Sequence, residues 1–140
     1  MNHPEYRRAQ SYGTRYKRLA VLTPDDEPTY LPRAAGKRLL IFFMRFPEGS
    51  EDVLVAYRAY QRLSAAERAG TQVAVVNRHT RAPAKLKAFF ADNDIGFPLY
   101  FEGPGTCANL PCHDRFPYFM AINPAGRITE YYGWPEELNW

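Results

Sequence analysis

Residues 39–44 read LLIFFM, six apolar side chains with no polar residue between them. A strand with one solvent-exposed face alternates apolar and polar side chains, whereas a strand buried on both faces has a continuous apolar run. This stretch therefore predicts an interior strand of a sheet that is covered on both faces. Such strands are typical of α/β proteins, and this is the fold class that we expect.

The residues after this strand predict a β-α-β-α unit. Apolar residues recur at helical spacing up to Gly70, and they are Val53, Tyr57, Tyr60 and Leu63. Residues 71–76 are rich in β-branched side chains and predict a second strand, and Pro83 opens a second helix that ends near Asn93. Because a helix connects the two strands, we expect them to pair in parallel.

Turn-forming residues mark the elements on either side of this unit. Three prolines divide residues 19–36, which predicts a short hairpin or an irregular N-terminal extension. Residues 97–101 are short and extended. The sequence NPAG at 123–126 lies between two apolar stretches and predicts a hairpin over 118–132. Residues 134–140 have the composition of a first helical turn.

The chain has the size and composition of one globular domain. Its 140 residues, 46% hydrophobic and 24% charged, can bury one core and are too few for two. The first 18 residues carry five basic side chains and one acidic one, whereas the remainder carries 13 basic and 14 acidic ones. We therefore predict a basic N-terminal arm at residues 1–18 and a folded domain at residues 19–140.

This charge distribution argues against a nucleic-acid-binding domain, because the body has no net positive charge. Tyrosines in the arm could stack on bases or lie at a membrane surface, but a solvated or docked arm is the simpler interpretation. No apolar run approaches the roughly 18 residues that span a bilayer, and the start has no hydrophobic signal core. We expect a cytoplasmic location, with an organellar transit peptide or a processed exported form as alternatives.

Three strings in the second half of the chain match a known pattern: FPL at 97–99, FPYF at 116–119, and INPAGRI at 122–128. With the β-α-β-α order, they resemble the redoxin and TlpA-type proteins of the thioredoxin-like superfamily over about residues 19–134. The resemblance implies a three-layer fold in which helices flank a mixed sheet. It also implies that Pro117 is a cis-proline whose neighbour pairs with substrate backbone, although a trans proline that begins an edge strand is the alternative.

The sequence departs from that family where the redox motif belongs. The motif, tryptophan-cysteine-x-x-cysteine, lies at a helix N-terminus that lowers the pKa of the first thiol. Residues 46–50 here read FPEGS, which places Pro47 at the nucleophilic position and Ser50 at the resolving position. Neither side chain can exchange a disulfide. We expect Ser50 to be the helix N-cap, with Glu51 and Asp52 in the first turn.

Cys107 and Cys112 are the only two cysteines, and they lie in the loop that precedes Pro117. The four residues between them can close into a loop, and the neighbouring His113 could favour a thiolate. Three interpretations stay open. The cysteines are a redox pair, a static bridge that closes the loop, or two ordinary thiols.

Other kinds of site are not expected. Cys107, Cys112 and His113, even with His79 as a fourth ligand, do not have a recognised zinc spacing. The sequence has no phosphate loop, no serine-histidine-acid series and no nucleotide-binding glycine motif, so we expect no cofactor. Basic residues around the second helix predict a solvent-exposed face, and they are Arg78, Arg81, Lys85 and Lys87.

Two hypotheses of function follow. In the first, the domain is a non-catalytic or atypical redox-related module that holds a polypeptide partner near the cis-proline. Its candidate binding residues are Phe46, Pro47, Ser50, Phe116 and Pro117. In the second, the protein is a thiol-disulfide oxidoreductase that acts on protein thiols or disulfides through a displaced redox pair, Cys107 and Cys112.

Overall fold

Strand β3, Arg38–Met44, is buried along its whole length after Arg38. It pairs in parallel with β4, Thr71–Asn77, with Ile41 opposite Ala74. On its other side it pairs antiparallel with β6, Tyr118–Ile122. The prediction of an interior strand and of its parallel partner is confirmed. The structure, a computed structural model, describes residues 14–78, 83–107 and 115–131.

Seven strands form one mixed sheet in the described residues. The remaining four are β1 (Ala20–Leu22), β2 (Pro28–Tyr30), β5 (Leu99–Glu102) and β7 (Ile128–Tyr131). Their order across the sheet is β2-β1-β5-β4-β3-β6-β7. Antiparallel pairing of β1 with β2 and of β6 with β7 forms the two predicted hairpins. The N-terminal segment is thus a hairpin that extends the sheet beyond β5.

Within the described residues, three helices connect the parallel strands: α1 (Ser50–Gln61), α2 (Ala65–Ala69) and α3 (Pro83–Asp92). The sequence pattern predicts one helical segment up to Gly70, but the structure has a break at residues 62–64. Ser64 causes the break because it starts a new helix. Its hydroxyl accepts a hydrogen bond from the Glu67 amide, and the Glu67 carboxylate accepts one from the Ser64 amide, both at 3.1 Å.

Two apolar clusters cover the two faces of the sheet. On one face, helices α1 and α3 pack against β3 in a cluster that includes Phe42, Val53, Leu54, Leu86 and Phe90. On the opposite face, the N-terminal segment contributes to a cluster that includes Tyr16, Leu19, Leu31, Ile41 and Phe43. Each fully buried side chain of this size contributes about 1.5–3 kcal/mol to stability, so both faces of β3 anchor the fold.

The last residues of the predicted arm are docked on the sheet. Tyr16 is buried, and its amide donates a hydrogen bond to the Gly126 carbonyl at 2.8 Å. The Ile128 amide donates to the Thr14 carbonyl, also at 2.8 Å. The division into an arm and a domain at residue 18 stays a prediction. Residues 1–13 and the predicted helical turn at 134–140 lie outside the described residues.

Candidate functional site

The candidate site lies at the edge of the sheet where β3 and β4 end and β6 begins. Met44 and Asn77 are paired at the ends of their strands, and Phe43 faces Tyr118 at the start of β6. Ligands of open α/β sheets bind outside the carboxyl ends of the strands. The turn at residues 45–49 and the segment that leads into β6 therefore meet at the edge where a ligand is expected.

The turn at residues 45–49 leads directly into helix α1. The Phe46–Pro47 peptide bond is cis, and the Arg45 amide donates to the Glu48 carbonyl at 3.0 Å. The predicted N-cap role of Ser50 is wrong, because Gly49 occupies that position with φ of 89° and no side chain caps the helix. The Ser50 hydroxyl instead reaches back and donates to the Pro47 carbonyl at 2.8 Å. The acidic first turn is confirmed, with Glu51 and Asp52 in it.

The structure brings the turn against Pro117. A side chain added at Gly49 would begin 3.1 Å from the Cβ atom of Pro117 and 3.1 Å from that of Met44. The Phe116–Pro117 peptide bond is cis, the isomer that the resemblance implies at this position. Phe46 and Pro47 of the turn, and Phe116 and Pro117 before β6, are partly or largely exposed at this edge, and we call them the Pro117 surface. The Phe46 ring packs against the cluster on the helix-covered face of the sheet, and the Phe116 ring against the cluster on the opposite face. Ser50 is buried.

Gly49→Ala is expected to cost about 1 kcal/mol more than Gly36→Ala in the free energy of unfolding. Both glycines have positive φ, where an added Cβ costs roughly 1–2 kcal/mol. At Gly36 that Cβ meets nothing within 4 Å, whereas at Gly49 it collides with Pro117. Urea unfolding of the two variants measures the difference. Equal losses would mean that the turn and Pro117 are not in tight contact.

Two guanidinium groups hold the Phe116 ring. The Arg45 and Arg78 guanidinium carbons lie 5.3 Å and 5.6 Å from the ring centroid, within cation–π range. Arg45 also forms an ion pair with Glu48, with 2.7 Å between its Nη2 and the carboxylate oxygen. The Pro117 surface therefore combines aromatic side chains with positive charge.

Arg78 is buried, so the prediction that it belongs to a solvent-exposed basic face is wrong. It comes directly after β4, and its amide donates to the Met44 carbonyl at 2.7 Å. Its Nε lies 3.3 Å from a Glu102 carboxylate oxygen, and its Nη1 donates to the Tyr118 hydroxyl at 3.4 Å. Burial lowers the pKa of Arg78, but Tyr118 and Glu102 outweigh it and raise that pKa above its usual value. Sequence reasoning missed this residue, although its place at the end of a buried strand was a usable signal.

Asn77, the last residue of β4, positions Phe46. It is fully buried, and its Oδ1 accepts a hydrogen bond from the Phe46 amide at 2.9 Å. Its Nδ2 has no hydrogen-bond partner among the described residues. The Phe46 ring packs against Phe89 of helix α3, with 6.0 Å between centroids. Phe89 thereby supports the Phe46 ring, which remains partly exposed at the surface.

Cys107 follows β5 and lies beside β1, away from the Pro117 surface. It is exposed and disulfide-bonded, so it is not an ordinary thiol. The preceding Thr106 anchors it near β1, because the Thr106 hydroxyl donates to the Ala20 carbonyl at 2.6 Å. Strands β4 and β5 separate β1 from β3, where the turn at residues 45–49 begins. Cys112, His113 and His79 lie outside the described residues.

Within residues 14–78, 83–107 and 115–131, no three His, Cys, Asp or Glu side chains are grouped so that they could bind a metal ion. The helices of these residues are also too short or too polar for any of them to cross a membrane.

Comparison with solved structures shows which fold this is. The thioredoxin domain of a thiol-disulfide oxidoreductase from Bacteroides vulgatus superposes with a TM-score of 0.68 at 14% identity, covering 89% of this chain and 90% of that chain. A thiol:disulfide interchange protein of the thioredoxin family from Chlorobium tepidum gives 0.66 at 13% identity, covering 89% and 88%. The chain has a thioredoxin-like fold. The predicted fold class is confirmed.

The thioredoxin-like fold is also that of a peroxiredoxin-like protein from Aquifex aeolicus, with a TM-score of 0.60 at 15% identity over 89% of this chain and 76% of that chain. No protein-family model matches the sequence, and no curated protein matches it. At the start of α1, where the sequence resemblance placed the two cysteines of the redox motif, this thioredoxin-like chain has Pro47 and Ser50.

Proposed function

We propose that this thioredoxin-like domain is a non-catalytic, redox-related protein-binding module that holds an extended polypeptide against the Pro117 surface. One observation carries the proposal. The start of α1 abuts Pro117 as a redox site would, but it contains no sulfur, and the buried Ser50 hydroxyl is engaged with the Pro47 carbonyl. A site with this geometry can bind a chain, whereas it cannot form a mixed disulfide at that position.

The composition of the Pro117 surface supports polypeptide binding. Aromatic and arginine side chains are enriched at protein interfaces and supply most of the binding energy there. Two guanidinium groups lie within cation–π range of the Phe116 ring, Asn77 binds the Phe46 amide, and Phe89 packs against the Phe46 ring. Because both rings are fixed before a partner arrives, binding loses little conformational entropy in these side chains.

Phe116→Ala is expected to weaken polypeptide binding about tenfold, since a central aromatic side chain contributes at least that much at an interface. The probe is a fluorescently labelled polypeptide kept unfolded by S-carboxymethylation, and the readout is fluorescence anisotropy. Because the probe has no free thiols, its binding cannot depend on disulfide exchange. Tyr30→Ala is the matched control, because Tyr30 is an exposed aromatic residue of β2, which β1, β5 and β4 separate from β3. Equal affinities for the two variants would contradict the proposal.

The second candidate function is thiol-disulfide exchange at Cys107, which its exposed, disulfide-bonded state favours. In this alternative Cys107 and Cys112 form the disulfide. An external dithiol such as dithiothreitol reduces it to two thiols and is itself oxidised. Cys107 and Cys112 then reduce a substrate disulfide to two thiols and form their own disulfide again. Cys107→Ser separates the two functions. If the protein is an oxidoreductase, the wild type reduces insulin and this substitution abolishes that activity. If it is a binding module, the wild type does not reduce insulin, and the variant keeps the anisotropy signal of polypeptide binding.

A further inference from the structure

A cleft with a strongly positive lining lies at the edge of the sheet opposite the Pro117 surface. Strand β6 starts beside Pro117, and its five residues carry the chain roughly 16 Å to the turn at 123–126. There the turn and the docked end of the N-terminal arm enclose a volume of about 280 Å³. The lining residues are Arg15, Tyr16, Arg18, Arg33, Ala125 and Gly126.

Arg33 is fixed in the wall of this cleft. Its Nη2 donates a hydrogen bond to the Pro124 carbonyl at 3.0 Å. Its guanidinium atoms lie 3.4–3.7 Å from the point where a side chain at Gly126 would begin, which is van der Waals distance from the turn. Its Nε is buried and has no hydrogen-bond partner among the described residues. The arginine is thus oriented before any ligand arrives, and its hydrogen-bonding capacity is only partly used.

The positive charge of the cleft is not compensated by the described residues. In residues 14–78, 83–107 and 115–131, ion pairs to carboxylates are formed by Arg45 and Arg78 and not by the arginines of the cleft. Burial raises the pKa of Tyr16 to about 12, so this lining side chain is neutral at physiological pH and supplies no negative charge. Three arginines thus line one small volume, and the Arg18 guanidinium carbon also lies 5.7 Å from the Tyr30 ring centroid. Like charges so placed repel one another, and a bound anion would relieve that repulsion.

We propose that this cleft binds a small phosphate-bearing anion. Guanidinium groups donate paired hydrogen bonds to phosphate oxygens, and a phosphate dianion offsets more of the local charge than a carboxylate does. The volume lies just below the roughly 300–1,000 Å³ of sites for larger ligands, so the cleft fits inorganic phosphate or a small phosphate monoester. Because the cleft and the Pro117 surface are at opposite edges, both can be occupied at once.

The test is a titration of the full chain with sodium phosphate. Sodium chloride is removed in proportion as phosphate is added, so that the ionic strength stays constant. In ¹⁵N–¹H correlation spectra we expect saturable shifts at residues 15–18, 33 and 124–127. Arg33→Gln and Arg18→Gln should each weaken phosphate binding about tenfold, because each removes a charge-assisted hydrogen bond. Arg62→Gln is the control and should leave the affinity unchanged, since Arg62 is exposed at the end of α1.

A parallel titration with glycerol 3-phosphate distinguishes the two sources of the phosphate group. Tighter binding of the ester than of phosphate indicates a phosphate monoester as the ligand, and equal affinities indicate the free ion. Shifts that do not saturate, or that are the same in Arg18→Gln and the wild type, would overturn the proposal. Arg18 is exposed, so its variant keeps the test valid even if Arg33→Gln does not fold.

Discussion

Glu102→Gln is expected to lower the free energy of unfolding by about 3 kcal/mol, because it leaves a buried guanidinium without its carboxylate. The Arg78 side chain is 4% exposed and that of Glu102 is 24% exposed, so water replaces little of the lost interaction. Of the described residues, the Phe116 ring and the Tyr118 hydroxyl remain beside Arg78, and neither carries a negative charge. Urea unfolding measures the loss.

The second Arg–Glu pair of the described residues provides the control for this prediction. Arg45 and Glu48 are closer, at 2.7 Å against 3.3 Å, but their side chains are 32% and 50% exposed. Glu48→Gln should therefore change the free energy of unfolding by no more than about 1 kcal/mol, as is usual for surface pairs. If distance rather than burial decided the energy, Glu48→Gln would cost more. That result would remove the basis for treating Arg78 as a structural charge beneath Phe116.

The features predicted correctly from the sequence are those that depend on neighbouring residues. The apolar run at 39–44 identifies an interior strand because both faces of β3 are buried, and the NPAG turn identifies the last hairpin. Each pattern lies within a few consecutive residues, so it can be recognised without knowledge of what packs against it. The order of the elements then restricts the topology, and the resemblance to thioredoxin-like proteins follows from that order and three short strings.

Features that depend on distant residues were not predictable in this way. Glu102 is 24 residues from Arg78, and Pro124 is 91 residues from Arg33, so the partners of these two arginines cannot be identified from neighbouring residues. The N-cap of α1 illustrates the same limit. Glycine and serine both suit that position, and Gly49 is favoured there by its φ of 89° and by Met44 and Pro117, whose Cβ atoms lie 3.1 Å from where a side chain would begin.

A thiol-disulfide exchange site is expected to appear when Pro47→Cys and Ser50→Cys are combined. The two positions are three residues apart at the start of α1, a spacing that a disulfide can bridge. A cysteine at the exposed position 47 would lie in the turn just before the N-terminus of α1, and a helix N-terminus increases the thiolate fraction at pH 7 roughly tenfold over that of an ordinary thiol. We therefore expect insulin reduction at least about tenfold faster than in the wild-type protein.

The experiment is cleanest when Cys107 and Cys112 are both replaced by serine, so that every thiol measured belongs to α1. Pro47→Cys alone is the control, because a single thiol can form a mixed disulfide with substrate but has no neighbour to resolve it. With the proteins reduced beforehand and no other reductant present, the double variant should release one equivalent of reduced substrate and become a disulfide itself, whereas the single variant should stop at the mixed disulfide. A folded double variant with two titratable thiols that releases no reduced substrate would mean that the start of α1 is not equivalent to a redox site. The proposed origin of the Pro117 surface as a binding site without its thiols would then be wrong, since missing sulfur could not explain the missing chemistry.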